Sequence, residues 1–169
     1  MLGDLQRSRC VAYTAAFIAL ITLGSWMAIP FFPVPLTLQT LFVLLAGTVM
    51  KRNAVIPVTL YILLGALGLP VFHNGIAGIG VLLGPTGGYL TGFIPAALIT
   101  GFAYEHLSTS VRITGLAAAS GVILITGTTW LIFSTGMAPV AGLIAGLVVF
   151  LPGDAVKTYA AYRIGQHLP

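Results

Sequence analysis

The chain has 169 residues, 58% hydrophobic and 6% charged, with a formal net charge of +4 and a mean hydropathy of +1.07. Soluble domains carry about 25% charged residues, so seven basic and three acidic side chains cannot cover a water-facing surface of this size, and the length argues for a single domain over 1–169. The basic residues are scattered without interleaved aromatics, which excludes a nucleic-acid surface, and the lone Cys10 excludes an internal disulfide and offers no metal-ligand spacing.

A bilayer core is about 30 Å thick and takes about 20 apolar helical residues to cross. The apolar runs here are continuous rather than alternating, so they predict helices and not barrel strands. The first predicted span covers 10–29. Arg7 and Arg9 precede it, as in a signal peptide, but the run reaches Pro30 without a small-residue cleavage site, so it is expected to stay as a span. It carries Ala12-x-x-x-Ala16 and Ala15-x-x-x-Ala19, spacings that let another helix pack closely, from within the chain or from a partner.

Pro30, Pro33 and Pro35 end that span, and the second is predicted over 37–50. It is short, about 21 Å at 1.5 Å per residue, so it needs tilt, local thinning or buried neighbours. Thr37, Gln39 and Thr40 at its start read either as a Pro-stopped loop with a cap or as a lid or pocket wall. Lys51-Arg52-Asn53 forms a polar turn into a third span over 54–69. Residues 70–88 read as a Gly-rich loop. In it, His73 lacks neighbouring metal ligands, and Asn74 is able to donate and accept toward a neutral polar ligand. The stretch Gly84-Pro85-Thr86-Gly87-Gly88-Tyr89 lacks the Gly-Lys-Ser/Thr ending of a phosphate loop. The chain is therefore not expected to hydrolyse ATP by itself. Gly87 and Gly88 permit close approach of a helix or a ligand, and Tyr89 reads as an interfacial anchor or a stacking partner.

The fourth and fifth spans are predicted over 87–104 and 113–133, joined by a polar turn at His106 to Ser110. Thr135-Gly136 and Pro139 introduce a last segment over 139–166, interrupted at Pro152-Gly153. A proline there removes a backbone hydrogen bond, and discontinuous helices often mark substrate sites in transporters. Asp154 and Lys157 follow, three residues apart on one helical face with apolar sequence on both sides. A charge at the bilayer centre costs about 2.5–3.5 kcal/mol or more, so the pair must face a partner or a cavity. It reads as an internal ion pair that fixes helix packing, or as the polar floor of a ligand pocket, with Asp154 accepting and Lys157 donating hydrogen bonds.

Arg7, Arg9, Lys51, Arg52, Arg112 and Arg163 all fall on one side of six spans, and the opposite loops over 30–36, 70–86 and 134–138 hold no Lys or Arg. This predicts both termini in the cytoplasm. The chain holds no nucleophile–base set, no paired carboxylates and no metal spacing, so neither an enzyme, a metal nor a cofactor is expected.

Four segments, in this order and spacing, resemble the BioY family over nearly the whole chain: Val34 to Thr40 (VPLTLQT), Leu63 to Phe72 (LLGALGLPVF), Leu83 to Tyr89 (LGPTGGY) and Phe150 to Lys157 (FLPGDAVK). That family is the biotin-specific S component of energy-coupling-factor (ECF) transporters. The resemblance implies a six-helix S-component fold with a pocket near the outer face of a prokaryotic cell membrane. It also implies biotin as substrate, and a transmembrane T component and ABC-type ATPases as partners. The family's acidic and basic pair falls on Asp154 and Lys157, and its docking surface for the T component on Ala12 and Ala16. Asp154 is expected to accept a ureido N–H and Lys157 to meet the ureido carbonyl or the carboxylate. Tyr89, Gly87 and Gly88 are expected against the apolar bicycle, with Thr37, Gln39 and Asn74 as further contacts. His73-Asn74 departs from the small residues the family often has after Phe72. The alternatives are an S component for another vitamin, a stand-alone biotin carrier, and a structural membrane scaffold that binds nothing.

Overall fold

The structure, a computed structural model, describes residues 2–168. Helix α1 (Leu2–Trp26) ends before the expected residue 29 because Ala28 and Ile29 pair with Leu36 and Thr37 as a two-residue antiparallel ribbon, β1 and β2. Helix α2 (Gln39–Met50) is joined to α3 (Val55–Ala66) by a 3₁₀ turn over Lys51–Ala54. A short α4 (Ile79–Leu83) lies where the sequence predicts only a Gly-rich loop. Then come α5 (Gly87–Glu105), α6 (Thr109–Thr135), α7 (Pro139–Leu143) and α8 (Leu151–Gly165).

Residues 39–66 form one apolar helical stretch by length and composition, but they do not run as one rod. Gln39 Nε2 donates to Tyr61 Oη at 2.5 Å, whereas 22 residues of straight helix separate two positions by about 33 Å. Lys51, at φ 53°, is where the chain turns back. The same reasoning orders the other helices. At one end Gly165 packs against Thr48 and Tyr104. At the other, Ser25 at the end of α1 reaches the Val71 carbonyl at 2.7 Å, and Gly142 of α7 lies on Ile132 of α6. Six helical passes result: α1, α2, α3, α5, α6 and the segment from α7 to α8. The first of these ends, where both chain ends lie, is the proximal end, and the other is the distal end. The chain is a multi-pass membrane protein, with α5 at its centre packed along α6 and against α2 and α3.

The last segment stays helical but changes gauge. A π-helical turn over Ile144–Val148 separates α7 from α8. Val149 donates to Ile144 across five residues (3.2 Å), and Phe150 donates to Leu147 across three (3.1 Å). Pro152 sits in the first turn of α8, where the missing N–H breaks no bond within that helix. The expected interruption is therefore present, and its irregular backbone lies on the N-terminal side of Pro152-Gly153. Gly136 ends α6 in the left-handed region at φ 66°, where a Cβ would be strained.

Helix α3 meets the loop after it through Gly65, whose α-carbon faces the fully buried ring of Phe72. A side chain at this position collides with that ring, and overpacking costs about 1–3 kcal/mol. Gly65→Ala is therefore expected to lower the thermal unfolding midpoint of the detergent-solubilised protein. An unchanged midpoint would show that the Phe72 loop is not seated on α3.

Candidate ligand-binding site

Helices α2 and α3 have 12 residues each, about 18 Å of rise against about 30 Å of hydrocarbon. Their distal ends therefore stop inside the bilayer, and loops fill the space above. Non-helical backbone at that depth is stable only where it is buried in protein or lines a cavity, and a cavity lies there. Val34, Pro35 and Thr37 of the first loop, with Gln39 and Thr40 of α2, form one wall. Tyr89, Leu90 and Phe93 of α5 and Ile123 and Leu124 of α6 form the other. Phe150, Asp154 and Lys157 close the floor, while His73 and Thr86 stand at the mouth. The cavity volume is about 40 Å³.

Asp154 lies in the first turn of α8, where the helix dipole favours an anion. Lys157, one turn on, forms an ion pair with Asp154 Oδ1, and the two side chains are only 11% and 4% exposed. Burying such a pair is costly unless further hydrogen bonds satisfy it, and the dipping first loop supplies them. Lys157 Nζ donates to the Thr37 carbonyl at 3.1 Å, and Thr40 Oγ1 donates to Asp154 Oδ1 at 3.4 Å. The floor thus presents a carboxylate acceptor beside an ammonium donor, the pairing that suits a ligand with adjacent N–H and carbonyl groups.

A hydrogen-bond chain leads outward from that floor. Thr37 Oγ1 donates to Gln39 Oε1 at 3.2 Å, Gln39 Nε2 to Tyr61 Oη, and Tyr61 Oη to the Val71 carbonyl at 2.9 Å. Ser25 Oγ also lies 2.7 Å from that carbonyl. Tyr61 is fully buried and packs edge-on against Phe72, ring centroids 5.6 Å apart. One side chain of α3 therefore ties together the two loops that border the cavity. Next to Phe72, the backbone turns through Asn74 at φ 56°, which sets half-buried His73 on the cavity wall. Burial pushes the His73 imidazole below its ordinary pKa, because desolvation disfavours the cation.

Tyr89 is buried, so it is not an interfacial anchor. Its ring lines the cavity and packs on Phe150, centroids 5.7 Å apart. Its hydroxyl donates to the Gly146 carbonyl at 2.7 Å. That carbonyl needs a donor, because the Phe150 N–H that an α-helix would supply goes instead to Leu147. Tyr89 thus both shapes the wall and seals the π-helical turn.

Of the residues expected at the site, the structure gathers Asp154, Lys157, Tyr89, Thr37 and Gln39 around one cavity. Three stand outside its lining. Gly87 faces the Leu82 carbonyl, Gly88 faces Trp130 and Thr126, and Asn74 is exposed to the surroundings. The two glycines serve helix and loop packing, and Asn74 serves the turn. Sequence reasoning missed His73 as a wall residue, together with the apolar Leu90, Phe93, Ile123, Leu124 and Phe150. The apolar ones carry no signal that separates a cavity from a core. His73 carried one, being the polar residue that departs from the family's habit.

A six-pass helical bundle with a charged-floored cavity at one end is the architecture of a membrane-embedded small-molecule capture protein. A family model described as the BioY family matches residues 3–169, and the chain belongs to that family. It is 45% identical to the biotin transporter BioY of Thermotoga maritima over 117 residues, 64% of this chain and 69% of that protein. It is 36% identical to the probable biotin transporter BioY of Pyrococcus horikoshii, covering 96% of this chain and 98% of that one. Its fold superposes with a TM-score of 0.81 on the crystal structure of the S-component for biotin from an ECF-type ABC transporter, at 26% identity over 97% of this chain and 92% of that one.

The two loop ties are unequal in strength. Tyr61→Phe leaves Gln39 Nε2 without its partner in a buried site, which costs about 1–3 kcal/mol. Ser25→Ala costs less, because the Val71 carbonyl keeps Tyr61. Thermal unfolding of both variants checks the order, and a larger loss in Ser25→Ala would overturn it.

Proposed function

We propose that this chain captures biotin at its distal end. It then carries the vitamin across the membrane as the S component of an ECF-type transporter, with T and ATPase subunits supplied separately. The observation that carries the reading is the buried Asp154–Lys157 pair, held at the floor of a cavity in a chain whose relatives are biotin transporters. Biotin offers a ureido ring, an apolar bicycle and a carboxylate tail. Asp154 accepts a ureido N–H, and Lys157, with one N–H not used by Asp154 or Thr37, donates to the ureido carbonyl. The bicycle lies against Tyr89, Phe93 and Phe150. Gln39 and Thr37 hold the adjoining wall in place. The loops over 27–38 and 67–86 border the cavity and part to admit the vitamin.

Transport needs a docking face and an orientation. Ala12 and Ala16 are exposed one turn apart on α1, which supports close approach by a helix of the T component. Arg7, Arg9, Lys51, Arg52, Arg112 and Arg163 mark the proximal end. By the positive-inside rule that end, with both termini, faces the cytoplasm and the cavity opens outward. The chain over 1–169 acts as one transmembrane domain.

Calorimetric titration of biotin into the purified protein should give saturable, one-to-one binding. No heat from folded protein would remove biotin as the ligand. Asp154→Asn removes the charge from the acceptor of the ureido N–H, a hydrogen bond worth about 1.5–3 kcal/mol, so Kd should rise about tenfold or more. Unchanged affinity would take Asp154 out of the site. For orientation, a C-terminal green fluorescent protein fusion should fluoresce and a C-terminal alkaline phosphatase fusion should be inactive. The reverse pattern would invert the topology.

A further inference from the structure

We propose that His73 is the group that reads the ligand's carboxylate at the cavity mouth, and that its imidazole gains a proton when an anionic ligand binds. The inference rests on the biotin reading above and deepens it.

His73 lines the charged-floored cavity together with Asp154 and Lys157. It also lines a second, surface pocket with Pro33, Ile76, Gly84 and Thr86. A residue shared by an inner and an outer space stands in the doorway between them, and Thr86 shares that place. A ligand with its ureido ring on the floor directs its tail through this doorway.

The charge around the doorway singles out the same residue. No Lys or Arg occurs between Arg9 and Lys51, between Arg52 and Arg112, or between Arg112 and Lys157. The loops around the mouth therefore hold no permanent cation. Lys157 is committed at the floor to Asp154 and the Thr37 carbonyl. A carboxylate leaving the cavity meets the imidazole as the one side chain of these loops that is able to become cationic near neutral pH.

The backbone around His73 forms a closed turn. It is closed by hydrogen bonds from Gly75 to Phe72 at 3.0 Å, Ile76 to His73 at 3.3 Å and Phe72 to Ile76 at 3.2 Å. Phe72 is fully buried, and the Val71 carbonyl is held by Tyr61 and Ser25. The turn thus carries the imidazole in one local backbone conformation, and less ordering is lost on binding.

The ionisable groups that share its cavity are few: Asp154 and Lys157 from α8 and Tyr89 from α5. The residues of the outer pocket add no further ionisable side chain. In the free protein, burial holds the His73 imidazole below its ordinary pKa, so the ring is neutral at physiological pH. A bound carboxylate favours the cation and raises that pKa. Binding therefore takes up a proton, so the extra affinity is complete below the free-state pKa and is lost as pH rises through the bound-state value.

The test is titration of biotin and of biotin methyl ester into wild type, His73→Gln and His73→Asn, at about pH 5.5 and about pH 8, a window in which imidazole titrates and carboxylic acids stay ionised. Wild type should bind biotin about fivefold to tenfold more tightly at the lower pH, a tenfold gain being the full effect of a bound-state pKa that lies about one above the free-state value. The methyl ester should show no such gain, and both variants should bind biotin with the slope gone. An equal slope for the ester, a slope retained in the variants, or no slope in wild type would each overturn the role of His73 while leaving biotin capture standing. The ester comparison on wild type decides the matter even where a variant fails to fold. Absence of biotin binding by folded wild type at both pH values would overturn the function itself, and this inference with it.

Discussion

A buried ion pair sits at membrane depth amid apolar sequence, and much of the structure is arranged to make it tolerable. Asp154 and Lys157 lie on one turn of α8 and neutralise each other, yet attraction alone rarely offsets the desolvation of two ions. The remaining satisfaction comes from another part of the chain, through the Thr37 carbonyl and the Thr40 hydroxyl. To bring these groups to the level of α8, the first loop must enter the bilayer, and it is able to do so because α2 is short. A helix long enough to cross the hydrocarbon would have carried Thr37 away from Lys157. The brevity of α2 and α3 is therefore part of the site.

Irregular backbone in the membrane must find partners within the protein, and the two irregular regions here share one solution: a tyrosine hydroxyl. Tyr61 holds the Val71 carbonyl of the loop before α4. Tyr89 holds the Gly146 carbonyl exposed by the π-helical turn. Both rings are apolar bodies with one polar tip, which suits a position where a single carbonyl needs a donor inside a greasy wall. Because Tyr61 also accepts from Gln39, the loop carrying His73 and the loop carrying Thr37 are mechanically joined. A movement that opens the cavity has to stretch or break that link.

Chain-local physics made much of this legible in the sequence. Helix identity and number followed from apolar runs, because in lipid only internally bonded backbone survives. The expected boundaries agree with the structure within a few residues for most passes. Lys51-Arg52-Asn53, His106 to Ser110 and Thr135-Gly136 all fall at or beside helix ends, since charged and strongly polar residues are costly at membrane depth and glycine takes the left-handed conformation that ends a helix. Asp154 and Lys157 stood out for the same reason: a charge amid apolar residues needs a purpose. Gly87, Gly88 and Asn74 illustrate the opposite case. Glycine is compatible with ligand contact, helix contact or a left-handed turn, and its neighbours in sequence do not say which. The apolar members of the cavity, such as Phe93 and Phe150, are indistinguishable from core residues until the fold places empty space beside them.

The sequence by itself determined that the chain is a bundle of six membrane passes, that its basic residues outside the spans gather at one end, that it belongs with the BioY pattern, and that one acidic and one basic residue sit amid apolar sequence in the last helix and need a partner or a cavity. These are properties of composition and period, set by the solvent the chain must occupy. Tertiary structure alone decided that Thr37 offers Lys157 a backbone carbonyl, that Tyr61 couples two loops, that Tyr89 turns inward, and that His73 stands at the cavity mouth. Each of these depends on residues up to 120 positions apart in the chain. Their meeting is fixed by the length of α2 and α3 and the packing of α5 against its neighbours, which no local pattern encodes.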